Sequence, residues 1–370
     1  MIGLRFLYSE VDFERGYGET MSTKRFYPYR PKYSPFEILE RAFSLTEGLA
    51  QVAVQSFQGT EKSIAASVEI TDRCNAGCHY CYVYPREWDQ KQRLQGYLSL
   101  PKERREDKES QVIQRLHNLR DSGVVHVTLV GGEPSLAPNV IRAAANLFPI
   151  VWVVSNGAAS LPALPKSVSV FVSMDGPPDF HNQSRDPMGF FDNHHYENTK
   201  GMSAAIARNI NQSERGAYVH LTLPKGAIEL FPEAVDWLVT TITKLRGIII
   251  SGTTGNSKLD PVAYGLSDRR RLKELVESAA EKYGWELFPF NQPLTNSFMF
   301  DEDKVIHNPS ECLVAQTVNS LDFDGKSTGK CILRNEADCE TCMCNITGMS
   351  RAIEKADLNT IFGVLRAFSG

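Results

Sequence analysis

Within Thr71-Asp72-Arg73-Cys74-Asn75-Ala76-Gly77-Cys78-His79-Tyr80-Cys81-Tyr82, three cysteines stand at the spacing Cys-x3-Cys-x2-Cys, with an aromatic residue before the third. Three thiolates this close can bind three irons of a [4Fe-4S] cube, because soft sulfur ligands suit iron–sulfur clusters. The fourth iron then has no protein ligand. It is free to bind a small molecule and pass it an electron. Ferredoxin arrangements supply four cysteines and close the cube, and structural zinc sites use four ligands, usually as pairs. Here no fourth cysteine or histidine stands at a matching distance downstream, apart from His79 inside the motif. A zinc site or closed cluster completed by a distant ligand is the alternative.

The chain has eight cysteines, in groups of three and five. Disulfides of a secreted protein are one use for so many. The grouping, with an N-terminal stretch that lacks the basic start and cleavage site of a secretory signal, favours metal sites in a reducing, cytoplasmic setting. Apolar content of 42% and charged content of 23% over 370 residues are ordinary for a globular protein. A formal net charge of −4 disfavours nucleic-acid or anionic-membrane binding by the whole surface. No apolar run reaches the about 20 residues that cross a bilayer.

Residues 1–62 read as an extension ahead of the core. Cations alternate with aromatics from Lys24 to Tyr33. Such a run can bind a phosphate, a nucleobase or a headgroup, or simply lie as a proline-stiffened arm on the surface. A helix is expected after Ser34, with Pro35 in its first turn and Glu37 completing a capping box. From residue 63 to 283, short apolar runs alternate with helical stretches. Strands are expected at Ala65–Thr71, His126–Gly131, Ile150–Ser155, Val168–Met174, Tyr218–Leu223 and Gly247–Ser251. Helices are expected at Lys108–Ser122, Asn139–Leu147, Asn198–Asn209, Ile228–Leu245 and Asp268–Tyr283. This alternation implies an α/β fold, a parallel sheet with helices on its outer face. Residues 284–370 read as a separate C-terminal module.

Cys74, Cys78, Tyr80 and Cys81 resemble the cluster motif of the radical S-adenosylmethionine (SAM) enzymes. The resemblance extends to Gly131-Gly132-Glu133-Pro134, to Ser155-Asn156-Gly157, and to Ser173-Met174-Asp175-Gly176 followed by His181 and Arg185. It spans roughly residues 64–255. It implies a partial (β/α)6 TIM-like barrel, with ligands at the carboxyl ends of the strands. It also implies a [4Fe-4S] cluster on Cys74, Cys78 and Cys81, whose open iron is chelated by the amine and carboxylate of SAM. Glu133 and nearby backbone carbonyls would receive the SAM ammonium, and the glycines would let backbone approach the ligand. Ser155, Asn156 and Ser173 would bond ribose hydroxyls or the carboxylate. Arg185 offers a planar fork to that carboxylate. Ordinary turn chemistry is the other use for Ser155, Ser173 and Asp175. Gly252-Thr253-Thr254-Gly255 would border adenine. The implied reaction is one-electron cleavage of SAM, giving methionine and a 5′-deoxyadenosyl radical that abstracts hydrogen from an unactivated carbon.

The tail carries Cys312, Cys331, Cys339, Cys342 and Cys344. The arrangement resembles the shortened auxiliary domain of the SPASM/twitch subclass, which implies one further [4Fe-4S] cluster. The preferred ligands are Cys312, Cys331, Cys339 and Cys342. Cys344 either replaces Cys342 or serves as a free, catalytic thiol near the substrate. Structural zinc is the alternative for this group. The resemblance implies a reducing partner such as flavodoxin or ferredoxin. The short, irregular extension favours a small-molecule, natural-product or lipid substrate. A peptide- or tRNA-modifying enzyme is the alternative, and a non-catalytic iron–sulfur electron carrier is a third reading.

Overall fold

The computed structural model describes residues 25–31, 63, 65–85, 87–96, 102–165, 168–289 and 305–347. The helix expected after Ser34 lies outside them. Nine strands are described: β1 (Ala65–Glu69), β2 (His126–Val130), β3 (Ile150–Ser155), β4 (Val168–Met174), β5 (His195–Tyr196), β6 (Thr199–Lys200), β7 (Ala217–Leu223), β8 (Leu245–Gly252) and β9 (Val318–Leu321). The main helices are α1 (Gln90–Gln95), α2 (Lys102–Asp121), α3 (Pro138–Leu147), α4 (Pro178–Arg185), α5 (Met202–Gln212), α6 (Phe231–Thr241), α7 (Leu266–Tyr283) and α8 (Leu313–Thr317).

Seven strands form one sheet in the order β8-β7-β4-β3-β2-β1-β9, and every pairing in it is parallel. The fold is the expected α/β partial barrel. Parallel strands are covered on both faces and so read as near-continuous apolar runs. β4 (VSVFVSM) and β8 (LRGIIISG) are buried along their whole length. Alternation still sorts their side chains. Val170, Val172, Val219, Leu221, Ile248 and Ile250 pack outward, in one core with Ile206 of α5, Phe231 and Leu238 of α6 and Leu272 of α7. Val68, Val127, Leu129 and Val153 pack in a second core with Val112 and Leu116 of α2 and Ile141 of α3. Trp152, Phe171, Tyr218 and Ile249 turn the other way and meet on the inner face.

Two expected helices start late for identifiable reasons. The one expected from Asn198 begins at Met202. Thr199–Lys200 pair with His195–Tyr196, and Gly201 sits at φ 78°. The one expected from Ile228 is split into a 3-10 turn over Lys225–Leu230 and α6. Pro232 lacks an N–H and fits only the first turn of a helix, so α6 restarts there.

The tail touches both edges of the sheet. At one edge β9 pairs with β1, Val318 opposite Ala65 and Leu321 opposite Val68. At the other, the Met343 carbonyl accepts from the Gly252 N–H (3.1 Å) and the Asn345 Nδ2 donates to the Ile250 carbonyl (3.0 Å). The tail cysteines therefore lie across the side that six barrel strands leave open. The described part of the N-terminal arm also lies on the core. The Phe26 N–H donates to the Tyr283 carbonyl (2.8 Å), and the Tyr29 N–H to that of Leu245 (2.9 Å).

Candidate active site at the carboxyl edge of the sheet

The Cys74–Cys81 loop leaves the end of β1 and is pinned from beneath by buried polar side chains. Arg93 of α1 is 1% exposed and donates to the Cys78 carbonyl (2.8 Å) and the Trp88 carbonyl (3.0 Å). Its own carbonyl accepts the Cys74 N–H (2.9 Å), and its guanidinium sits 5.4 Å from the centre of the Tyr84 ring. Gln90 donates to the Asn75 carbonyl (2.6 Å) and to Asp186 (2.8 Å). The Gly77 N–H reaches the Arg185 carbonyl (2.7 Å). Sequence reasoning missed Arg93 and Gln90. A signal was present: Asp89 caps α1 and Gln92 completes the box, a pattern that marks a helix start.

The three thiols lie within electrostatic reach of one another. Burial raises Cys74 well above the ordinary thiol range, and a thiolate at Cys78 would raise it further. Burial likewise pushes Cys78 up to about 11, with Arg185 and Arg93 opposing. The Ala76 N–H points at the Cys74 sulfur (3.4 Å). Three crowded thiolates, one buried and two half-buried, would call for a cation among them. Among the described residues, no three such donors are drawn together around a single ion. The donor set fits a [4Fe-4S] cluster held by Cys74, Cys78 and Cys81.

The Gly131–Pro134 segment follows β2 and packs under this loop. Gly131 has φ 123°. A side chain on Gly132 would overlap the Arg73 carbonyl and the Tyr84 hydroxyl. The close approach these glycines permit is thus that of the cysteine loop's own backbone. The Gly132 N–H donates to the Thr71 carbonyl (2.9 Å), and the Glu133 N–H to that of Arg73 (2.7 Å). Pro134 is buried at the start of a 3-10 turn. Glu133 is 1% exposed. Its carboxylate accepts from the Ser155 hydroxyl (2.6 Å), the Ser135 N–H (2.9 Å) and the Asn156 N–H (2.7 Å). Asn156 in turn donates to the Asn75 side chain (2.6 Å). Glu133, Ser155 and Asn156 thus form a brace that ties the ends of β2 and β3 to the cysteine loop.

Asp175, Arg185 and Tyr80 form a second buried knot. Arg185 donates through Nε to Asp175 (2.7 Å) and through Nη2 to the Tyr80 hydroxyl (2.8 Å). Tyr80 and Ser184 also donate to Asp175, and His181 Nδ1 accepts the Asp175 N–H (3.2 Å). Burial disfavours a charge on Asp175, but Arg185 and His181 outweigh it and hold the carboxyl below its usual range. Arg185 is 7% exposed, and its fork is taken by an internal carboxylate and a phenol. Ser173 is at the inner face near the end of β4. The Gly252–Gly255 segment is bound by the tail, with the Gly255 carbonyl accepting from the Asp338 N–H (3.0 Å).

The five tail cysteines are electrostatically coupled, though among the described residues no three of them are gathered around one point. Cys312 and Cys331 are each in electrostatic reach of Cys339, Cys342 and Cys344. Burial raises Cys342 strongly and pushes Cys344 up to about 11. Tyr82 feels both Cys81 and Cys344, one cysteine from each group. Nearby, the Arg334 guanidinium donates to both oxygens of Glu69 (2.8 and 3.1 Å). Glu69 is 3% exposed and ends β1. This ion pair joins barrel to tail, and sequence reasoning gave no sign of it, because 265 residues separate its members.

The parallel partial barrel thus presents three cysteines at its carboxyl edge. Residues 68–179 match the family model described as the Radical SAM superfamily. Over those residues the chain carries a radical SAM domain, the mark of a family that uses a [4Fe-4S] cluster and SAM. It is 29% identical over 142 residues to the sporulation killing factor maturation protein SkfB of Bacillus subtilis (strain 168). That match covers 35% of this chain and 30% of SkfB, so the chain spans under a third of that relative's length. Among solved structures, it is similar to Streptococcus suis SuiB bound to precursor peptide SuiA, at a TM-score of 0.48 and 16% identity over 81% of this chain and 65% of that one. It is also similar to anSMEcpe with bound AdoMet, at 0.47 and 13% over 75% of each. Among the described residues no helix is long and apolar enough to cross a membrane.

Proposed function

We propose that this protein cleaves SAM reductively and uses the radical to take hydrogen from an unactivated carbon of a peptide. The observation that carries the first part is the brace Glu133–Ser155–Asn156–Asn75, which fixes the cysteine loop against the Gly131–Pro134 segment. Cys74, Cys78 and Cys81 would hold a [4Fe-4S] cluster, which with SAM would supply one-electron reduction. When bound, the pair supplies a 5′-deoxyadenosyl radical. The chain's own residues orient and exclude. Arg93 and Gln90 fix the loop's backbone, and the Tyr80–Asp175–Arg185 knot sets the position of α4. The apolar inner face keeps water from a reactive species. A flavodoxin or ferredoxin is the reductant.

The peptide substrate is favoured over a small molecule or lipid by the similarity to a protein named for maturing a killing factor. The arm that motivated a nucleic-acid reading packs on the core over residues 25–31 instead. The five tail cysteines are read as a twitch-like auxiliary [4Fe-4S] site in the module proposed at 284–370. Anaerobic reconstitution followed by SAM and dithionite tests the core of this reading. The wild-type chain should yield 5′-deoxyadenosine and Cys78→Ala none. Product from neither, with the first cluster filled, would favour an electron carrier. Short peptides encoded beside the gene are the substrates to try, with the mass loss of hydrogen or a new cross-link as readout.

A further inference from the structure

His220 of β7 belongs to none of the motifs above. Its neighbours Val219 and Leu221 pack outward in the core, whereas Tyr218 lies on the inner face. Strand alternation therefore turns His220 inward. β7 is a central strand, between β4 and β8. The partial exposure of His220 can open only into the barrel's interior. Its register partner on β4 is Ser173, and on β8 Ile249. It thus stands level with the site's inner wall, one strand from Ser173.

The ring's hydrogen bonding bears on where its proton sits. His220 Nε2 is 2.8 Å from the Ser251 hydroxyl. That hydroxyl already accepts the Asn345 N–H (3.1 Å). A hydroxyl oxygen can accept twice, so the contact allows either tautomer; the one that gives the Ser251 proton an acceptor among the described residues has Nε2 accepting and the ring's hydrogen on Nδ1. Burial keeps the ring neutral, with its pKa lowered to about 4.

We propose that His220 is a substrate-binding residue: its Nδ1–H, aimed into the barrel by the Ser251 and Asn345 contacts, donates to a carbonyl oxygen of the substrate and sets which carbon faces the radical. An amide carbonyl is the acceptor this donor fits, so the inference deepens the peptide reading and rests on radical formation at the first cluster. It also gives the tail a part in the site, since Asn345 directly follows Cys344.

Two measurements test it without a known substrate. The first places a thiol at the position and runs SAM cleavage in D2O. An exchangeable S–D deuteron within reach of the radical is transferred as a deuterium atom to carbon, leaving a thiyl radical. His220→Cys should raise the singly deuterated fraction of 5′-deoxyadenosine several-fold above wild type. Val219→Cys, one residue away but facing outward, should not. Equal fractions in the two variants would overturn the placement. Failure of wild type to form 5′-deoxyadenosine would instead sink the proposed function. The second uses the wild-type chain with its clusters oxidised and its histidines labelled with nitrogen-15. The Nδ1–H form should appear, should change in Ser251→Ala, and should shift on titration with N-methylacetamide. An Nε2–H form, or no response to the amide, would overturn the donor role.

Discussion

The two cysteine groups are held in different ways. Around Cys74, Cys78 and Cys81 the backbone is fixed by Arg93, Gln90, Asn75 and the Glu133 brace, nearly all of them buried. Around Cys312, Cys331, Cys339, Cys342 and Cys344 there is one four-residue strand, a short helix and turns. That group is positioned by its hold on the edges of another unit, through β9 on β1, Met343 and Asn345 on β8, and Arg334 on Glu69. A site that must bind and reduce an exchangeable ligand gains from a preorganised shell. A site closed by its own cysteines can draw its loops into place as the metal binds.

The largest expected effect separates these roles. Cys78→Ala should abolish 5′-deoxyadenosine formation, whereas Cys331→Ala should keep it measurable while losing about half the bound iron and the modified product. Iron analysis alongside chromatography of the nucleoside reads both. Loss of SAM cleavage in both variants would erase the distinction.

Breaking the rigid group at its brace comes next. Glu133→Gln turns an acceptor of three hydrogen bonds into a group with an N–H2 facing donors. A buried network left partly unsatisfied costs roughly 3 kcal/mol. A several-degree fall in melting temperature is expected, with weaker SAM cleavage. Unchanged melting would show that the brace is dispensable.

The hold between tail and barrel gives a pH-dependent effect. Burial pushes Glu69 up to about 7 from an ordinary 4.5, against the pull of Arg334. Between those values the folded chain keeps a proton that the unfolded chain has released. Stability therefore falls as pH rises through this window, by about 3 kcal/mol at most. Glu69→Gln should flatten that dependence. Arg334→Ala should cost most above pH 7, where it strands a buried carboxylate, and less near pH 5. Denaturation curves across that range test both, and a stability that rose with pH would contradict the assignment.

The smallest effect concerns the arm. Tyr29→Phe removes one hydrogen bond, from its hydroxyl to the Glu214 carbonyl (2.7 Å), worth about 1 kcal/mol. A larger loss would mean that the arm does more than lie on the surface.

The rigid region was also the more legible one. Four barrel strands were recognised to within two residues at each end and two more end to end, because parallel strands buried on both faces read as apolar runs. The cysteine spacing marked the cluster loop directly. The partners of its neighbours were less visible. Arg185 and Glu133 look from sequence like ligand-binding groups, yet their charges are spent on Asp175, Ser155 and Asn156. A motif marks where a residue stands and leaves open which neighbour it satisfies. β9 was hidden because Val-Asn-Ser-Leu is short and only half-buried. His220 and Glu69 were hidden because their meaning depends on strands that are distant in the chain.

The central claim is a cube with three cysteine ligands and one iron open to SAM. Electron paramagnetic resonance on the reduced chain, before and after adding SAM labelled with nitrogen-15 in its amine, addresses that corner itself. The account predicts a changed cluster signal with hyperfine coupling to the labelled nitrogen, lost in Cys74→Ala. A signal indifferent to SAM, or a first site filled by zinc, would contradict it.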